Sequence, residues 1–126
     1  MEGILRDHVL DYLERNDLMC SQQHGFVPKR SCTTQLIQCL DTWTEALDTG
    51  LAMDIIYLDF SKAFDSVPHS GLLKKMEKYE INPKIKIWCS SFLSGRRQRV
   101  VLNGQKLHWD DVLSGVPQGS VVGPLL

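Results

Sequence analysis

Apolar and polar positions along this chain follow two different periods, and the switches between them mark out its elements. Leu5, Val9, Tyr12 and Leu13 recur at helical spacing with Arg6, Asp7, Asp11, Glu14 and Arg15 between them, which predicts an amphipathic helix over residues 4–15. Residues 21–29 are polar and hold Gly25 and Pro28, a loop that ends at Ser31, whose hydroxyl suits the cap of a following helix. In that helix Leu36, Leu40, Trp43 and Leu47 repeat at intervals of four, three and four, and Gly50 supplies the stop. This is the clearest periodic signal in the chain, and its stripe is expected to be core.

The period then changes. Residues 53–60, MDIIYLDF, are β-branched, aromatic and of strand length, which predicts a buried central strand with the Asp59 carboxylate near its end. Pro68 opens another helical pattern through Leu72, Leu73, Met76 and Tyr79; Asn82-Pro83 breaks it, and Ile85, Trp88 and Phe92 continue on a new helix. Two packed helices with a sharp break between them are expected. Beyond Gly95, residues 98–112 hold Asn103-Gly104 between extended runs, the signature of a β-hairpin with a type I′ turn. Residues 114–126 carry Gly115, Gly119 and Gly123 with Pro117 and Pro124 among apolar side chains, a shaped loop. The apolar run that ends at Leu125-Leu126 predicts a truncated domain, because such a tail would leave apolar area in water.

Composition narrows the classes. With 126 residues and 43% hydrophobic content, the chain has material for one core. A net charge of -1 means that a nucleic-acid partner must be met by a local patch. Cys20, Cys32, Cys39 and Cys89 show no C-x-x-C spacing, so no zinc ribbon or redox motif is legible; Cys20, His24 and Cys32 form only an irregular candidate metal set. Scattered thiols without a signal peptide point to a reducing, intracellular compartment, cytoplasmic or nuclear. No apolar run approaches the roughly 18 residues that cross a bilayer.

Asp59 asks for an explanation, since a carboxylate at the end of an apolar strand is costly to bury without compensation. A cation is one answer: magnesium takes hard oxygen ligands from one or two carboxylates and completes its shell with water and phosphate. Capping of the turn that follows is the other, and the commoner, one for a strand-end aspartate taken alone. Asp65, too, reads more readily as a turn residue than as a ligand. Arg96, Arg97 and Arg99 are the dense basic cluster, suited either to phosphate contact or to a solvated loop.

Three ordered segments carry a family resemblance. Residues 57–69, YLDFSKAFDSVPH, resemble the first palm motif of LINE-type non-LTR retrotransposon reverse transcriptases, and residues 114–126, SGVPQGSVVGPLL, resemble the next. Upstream, Gln23-His24-Gly25-Phe26 and residues 30–36, RSCTTQL, are similar to the fingers-to-palm segment of the same enzymes. Two departures stand out: Val27, Pro28 and Lys29 occupy places where a basic residue and then a glycine are common before the Arg-Ser pair, and Glu80 stands where a glycine commonly follows the tyrosine.

The resemblance implies an α+β fold, a partial palm with fingers-derived helices of a right-hand polymerase, with residues 1–50 the fingers-to-palm helices and 51–126 the palm segment. It implies a nucleotidyltransferase that acts on an RNA template, a DNA primer and deoxynucleotides with magnesium. Asp59 then matches a metal-binding aspartate and the Phe60 carbonyl a further metal oxygen. Phe64 matches the ring that excludes a 2′-hydroxyl, and Gln118 and Gly119 match the loop that approaches the incoming nucleotide. Arg96, Arg97 and Arg99 would meet template or primer phosphates. The family's paired-aspartate motif and its thumb lie outside this sequence, so the chain alone is expected to be inactive and to bind magnesium weakly or not at all. A non-catalytic nucleic-acid-binding remnant and a decayed element copy remain the alternatives.

Overall fold

The computed structural model describes all residues, Met1–Leu126. It is a mixed structure of helices and short antiparallel ladders, an α+β arrangement. The chain divides into two compact units, Met1–Asn16 with Ser61–Leu126, and Asp17–Phe60.

The first unit is built on helices α1 (Glu2–Arg15), α3 (His69–Lys78) and α4 (Pro83–Leu93). Helix α3 follows Pro68, and α4 begins where the Asn82 side chain accepts the Lys84 amide at 2.9 Å, with Pro83 in the first turn, where its missing amide proton costs nothing. The expected pair of helices with a break is therefore present. In the break Glu80 has φ +54, a left-handed backbone that disfavours side chains with a Cβ. The departure at Glu80 thus falls where the backbone suits a glycine.

These helices bury two neighbouring clusters. Val9, Met76, Ile81, Ile85 and Cys89 form one, and Tyr12 locks α1 to it by donating its hydroxyl to the Tyr79 carbonyl at 3.0 Å. Leu72, Leu93 and Val116 form the other, flanked by Phe64, Val67 and Phe92. Trp88 stacks on Phe92 with ring centroids 4.9 Å apart. Most of the C-terminal apolar run packs within the chain: Val121 is exposed, with its amide donating to Glu2 at 2.8 Å, but Val122 is buried and Leu125 and Leu126 pack on the clusters. The short 3-10 turn Gly123–Leu125 directs those leucines inward.

A hairpin projects from the same unit. Strands β1 (Arg97–Gln98) and β4 (Asp110–Asp111) pair antiparallel with Arg97 opposite Asp111, and β2 (Val101–Leu102) and β3 (Gln105–Lys106) pair with Leu102 opposite Gln105. Asn103 and Gly104 have φ +49 and +78, both positive as a type I′ turn requires. The Leu107 amide bonds the Val100 carbonyl at 3.0 Å between the two ladders, so the hairpin expected over residues 98–112 is formed.

The second unit holds one regular element, α2 (Cys32–Asp48). Its start is a capping box: the Ser31 hydroxyl accepts the Thr34 amide at 3.1 Å, and the Thr34 hydroxyl accepts the Ser31 amide at 2.9 Å. Its end is a Schellman closure, with Leu51 N–H on the Ala46 carbonyl and Gly50 N–H on the Leu47 carbonyl, Gly50 at φ +72. Both ends follow the sequence reading, but the burial does not. Leu36, Leu40 and Leu47 are 61%, 55% and 72% exposed, and no residue of this unit is buried.

The expected central strand over residues 53–60 is also absent. The segment has no regular secondary structure, no strand pairs with it, and Ile56, Tyr57, Leu58 and Phe60 are among its exposed residues. A strand is completed only by a neighbour that takes its backbone N–H and C=O groups, and β-propensity without a partner leaves an extended, solvated chain.

Candidate active site

Sequence reasoning pointed to Asp59, Phe60, Phe64, Gln118, Gly119 and the arginine cluster, and the two units hold different members of that set. Asp59 and Phe60 close the second unit; both are exposed, in backbone without regular structure. The premise that Asp59 is a buried strand-end carboxylate is corrected accordingly, and with it the desolvation cost that demanded a compensating cation. Asp59 offers a hard oxygen donor suited to magnesium, but nowhere do three His, Cys, Asp or Glu side chains converge. The residues present therefore do not make a self-sufficient magnesium centre. The Cys20, His24 and Cys32 set also fails to assemble: the His24 ring nitrogens bond Thr34 Oγ1 at 2.9 Å and Gln38 Oε1 at 2.8 Å, and the Cys20 thiol donates to Gln22.

The remaining candidates lie in the first unit, where the two palm-like motifs are fastened together. The Val116 amide donates to the Phe64 carbonyl and the Gly115 amide to the Val67 carbonyl, each at 2.8 Å, and the Ser114 hydroxyl donates to the Asp65 carbonyl at 2.9 Å. Contact is so close that a Cβ on Gly115 would come within 2.7 Å of the Asp65 Cα and carbonyl oxygen, and Gly115 has φ +83 besides. Only glycine fits there. Phe64 is half-buried against Leu72, Leu93 and Val116, so its ring serves packing as well as any contact at its outer edge.

From this junction the chain turns outward. The Ser120 amide bonds the Pro117 carbonyl at 3.1 Å, leaving Gln118 and Gly119 exposed at the tip, Gly119 at φ +86 with open space around it. A depression of about 510 Å³ beside the tip is lined by Asp65, Arg96, Arg97, Gln98, Pro117 and Gln118. Backbone freedom at Gly119 and an amide side chain at Gln118 can meet a polar ligand there.

The three arginines part company. Arg96 turns inward: its Nε donates to the Leu93 carbonyl at 3.0 Å and its Nη2 to the Gly115 carbonyl at 2.5 Å, beside the His69 ring. Arg97 lies 3.5 Å from the Asp111 carboxylate, its cross-strand partner. Arg99 lies over the Trp109 ring, 4.4 Å from its centroid, with Arg97 at 5.9 Å. Sequence reasoning missed both His69 and Trp109. His69 closes the motif over residues 57–69 and Trp109 lies in the hairpin, but the partner that each one meets is fixed only by the fold.

Two titrating groups elsewhere in this unit are displaced from their ordinary range. The hydrogen bond and charge of Lys86, 2.7 Å away, hold the Glu77 carboxyl below the usual range, and burial pushes the Cys89 thiol up. Cys89 is thereby kept a core thiol, disfavoured as a nucleophile.

Comparison with known proteins agrees with the motif resemblance. The chain is 31% identical over 126 residues to the RNA-directed DNA polymerase from mobile element jockey of Drosophila melanogaster, covering all of this chain and 14% of that protein. It is 30% identical over 125 residues to the probable RNA-directed DNA polymerase from transposon X-element, and 29% identical over 125 to that from transposon BS, both of the same fly, each with 99% of this chain and 14% of the relative covered. The chain thus spans about a seventh of the length of these relatives. No solved structure gives a significant match. The family profile described as reverse transcriptase (RNA-dependent DNA polymerase) matches residues 2–126, and this chain belongs to that family.

Proposed function

We propose that this segment contributes part of the palm of a mobile-element reverse transcriptase, the part that carries a metal-binding aspartate and the incoming-nucleotide loop. The bond set joining residues 64–67 to residues 114–116 carries the proposal, because it brings two motifs about fifty residues apart into one rigid junction beside the exposed Gln118-Gly119 tip. In the proposed reaction the primer 3′-hydroxyl oxygen forms a bond to the α-phosphorus of a deoxynucleotide and gives up its proton to solvent, while the bond from that phosphorus to the α,β-bridging oxygen breaks and pyrophosphate leaves. Magnesium supplies charge stabilisation when bound. Asp59 would give it one ligand and the Phe60 carbonyl another oxygen, the rest coming from outside this chain. The Phe64 ring would lie under the sugar and reject a 2′-hydroxyl, and Gln118 with Gly119 would approach the nucleotide. Residues 53–60 would then be a palm strand, completed by polymerase chain that this sequence does not include.

Primer extension on an RNA template by a polymerase of the relatives' length carrying this segment tests the proposal. Asp59→Asn is expected to lower extension about a thousandfold or more, the several kcal/mol that a metal centre contributes; in the 126-residue chain by itself, where Asp59 is exposed, the same change should leave the melting temperature unaltered. Extension by the Asn variant at the unaltered rate would remove Asp59 from the mechanism.

A second, non-catalytic role is favoured by the Trp109 ring with the Arg97 and Arg99 guanidinium groups close to it, since an aromatic ring beside guanidinium groups can take a stacked base. It predicts salt-dependent nucleic-acid binding by this chain that Trp109→Ala weakens and Asp59→Asn does not.

A further inference from the structure

We propose that His69 and Arg96 are positioning residues for the Pro117-Gln118-Gly119 turn, which they hold through the Gly115 carbonyl. The proposal rests on the polymerase reading only for the purpose of that turn; the clasp itself is geometric. The Gly115 carbonyl oxygen receives two donors, Arg96 Nη2 at 2.5 Å and His69 Nε2 at 2.8 Å. On the other side of the same residue the amide is bound to Val67, so the peptide groups before and after Gly115 are both fixed. Its next neighbour, Val116, is 4% exposed in the cluster with Leu72 and Leu93. Residue 117 is then the first from which the chain can swing, and the exposed tip inherits its direction from the clasped peptide.

Both clasp residues are themselves anchored. Arg96 holds its plane by donating Nε to the Leu93 carbonyl, one of the orphan acceptors at the end of α4, and Leu93 is the most deeply buried side chain of the chain at 1% exposed. His69 is the first residue of α3. A carbonyl partner accepts only, so the proton of the His69 ring lies on Nε2, and the 3.2 Å approach of Arg96 to that nitrogen is proximity and not a second hydrogen bond. With Nε and Nη2 both engaged inward, Arg96 serves the loop, and phosphate contact falls to Arg97 and Arg99.

Arginine and lysine separate these roles. A phosphate contact needs the charge, which lysine keeps; a clasp needs the planar fork that spans Leu93 and Gly115, which lysine lacks. Arg96→Lys in this chain is expected to speed amide exchange at Val116 and Ser120 about tenfold, the loss of one charge-assisted hydrogen bond, with α1 exchange unaltered. His69→Ala should do the same to a smaller degree, and His69→Gln, which retains an N–H donor, should restore slow exchange. In the longer polymerase, Arg96→Lys should raise the deoxynucleotide KM several-fold while kcat changes little. Unaltered loop exchange in both Arg96→Lys and His69→Ala overturns the clasp. Faster exchange with an unaltered KM overturns its role in positioning. A polymerase inactive even with the natural sequence defeats the polymerase reading instead, and the exchange data still decide the clasp.

Discussion

Helices α2 and α4 both present apolar faces that are legible in the sequence, α2 the more clearly, yet they end in opposite circumstances. In α4, Ile85, Cys89 and Leu93 are buried against α1, α3 and the loop at Val116. In α2, Leu36, Leu40 and Leu47 are exposed, Trp43 is half-buried, and no side chain of the helix is fully buried. Both helices nevertheless form, because a helix satisfies its backbone internally once its ends are capped, whereas residues 53–60, with stronger apolar character, do not form a strand without a partner. Apolar periodicity therefore encodes which face an element offers, and a facing surface decides whether that face is used. The first unit supplies such surfaces from within, and the second does not.

The sharpest way to break this contrast is a pair of truncations. Leu93→Ala should cost about 2–5 kcal/mol in urea unfolding of the chain, a cavity in the cluster at Leu72 and Val116, while Leu40→Ala should stay within about 0.5 kcal/mol. A large loss at Leu40 would mean that the α2 stripe is covered. Gly115→Ala comes next, at about 2–3 kcal/mol, since a methyl group meets the Asp65 backbone and the left-handed φ adds strain. A cost this large confined to the first unit would show that the junction of the two motifs, and not the helix pair alone, stabilises it.

Ser31→Ala removes half of the capping box and should cost about 1 kcal/mol, read as faster amide exchange in the first turn of α2 with α3 and α4 unaltered. Spread of the effect into the first unit would erase the distinction between them. The smallest expected change is a gain: Glu80→Gly should stabilise the first unit by up to about 1 kcal/mol, because φ +54 penalises a Cβ, and Lys29→Gly should act likewise in the second, where φ is +63. Thermal melting of the two single variants measures it. Glu80 stands where a glycine is common in the family, and Lys29 belongs to the three-residue stretch that departs from its basic-then-glycine pattern, so both departures noticed in the sequence include a left-handed residue with measurable strain.

The candidate site was legible to different depths. Asp59, Phe64, Gln118 and Gly119 stand out through their motifs, and Gly115 through being glycine between Ser114 and Val116. Arg96 was legible only as one of three adjacent charges; that it faces the Gly115 carbonyl, while Arg99 lies on Trp109, depends on where α4 ends and how the hairpin twists. His69 was legible as the last residue of the motif over residues 57–69, with no role of its own. Its partner is 46 residues away, beyond the reach of any local pattern.

By itself the sequence determined the caps of α2, the break between α3 and α4, the type I′ turn and the family of the chain, because each depends on residues close together or on an ordered string of motifs. Tertiary structure decided which apolar stripes are core, that residues 53–60 lack a ladder, and that the first palm-like motif is bolted to the second through Gly115. Burial and strand pairing require a surface brought from elsewhere in the fold, and a carbonyl clasped by two side chains requires three distant elements to meet.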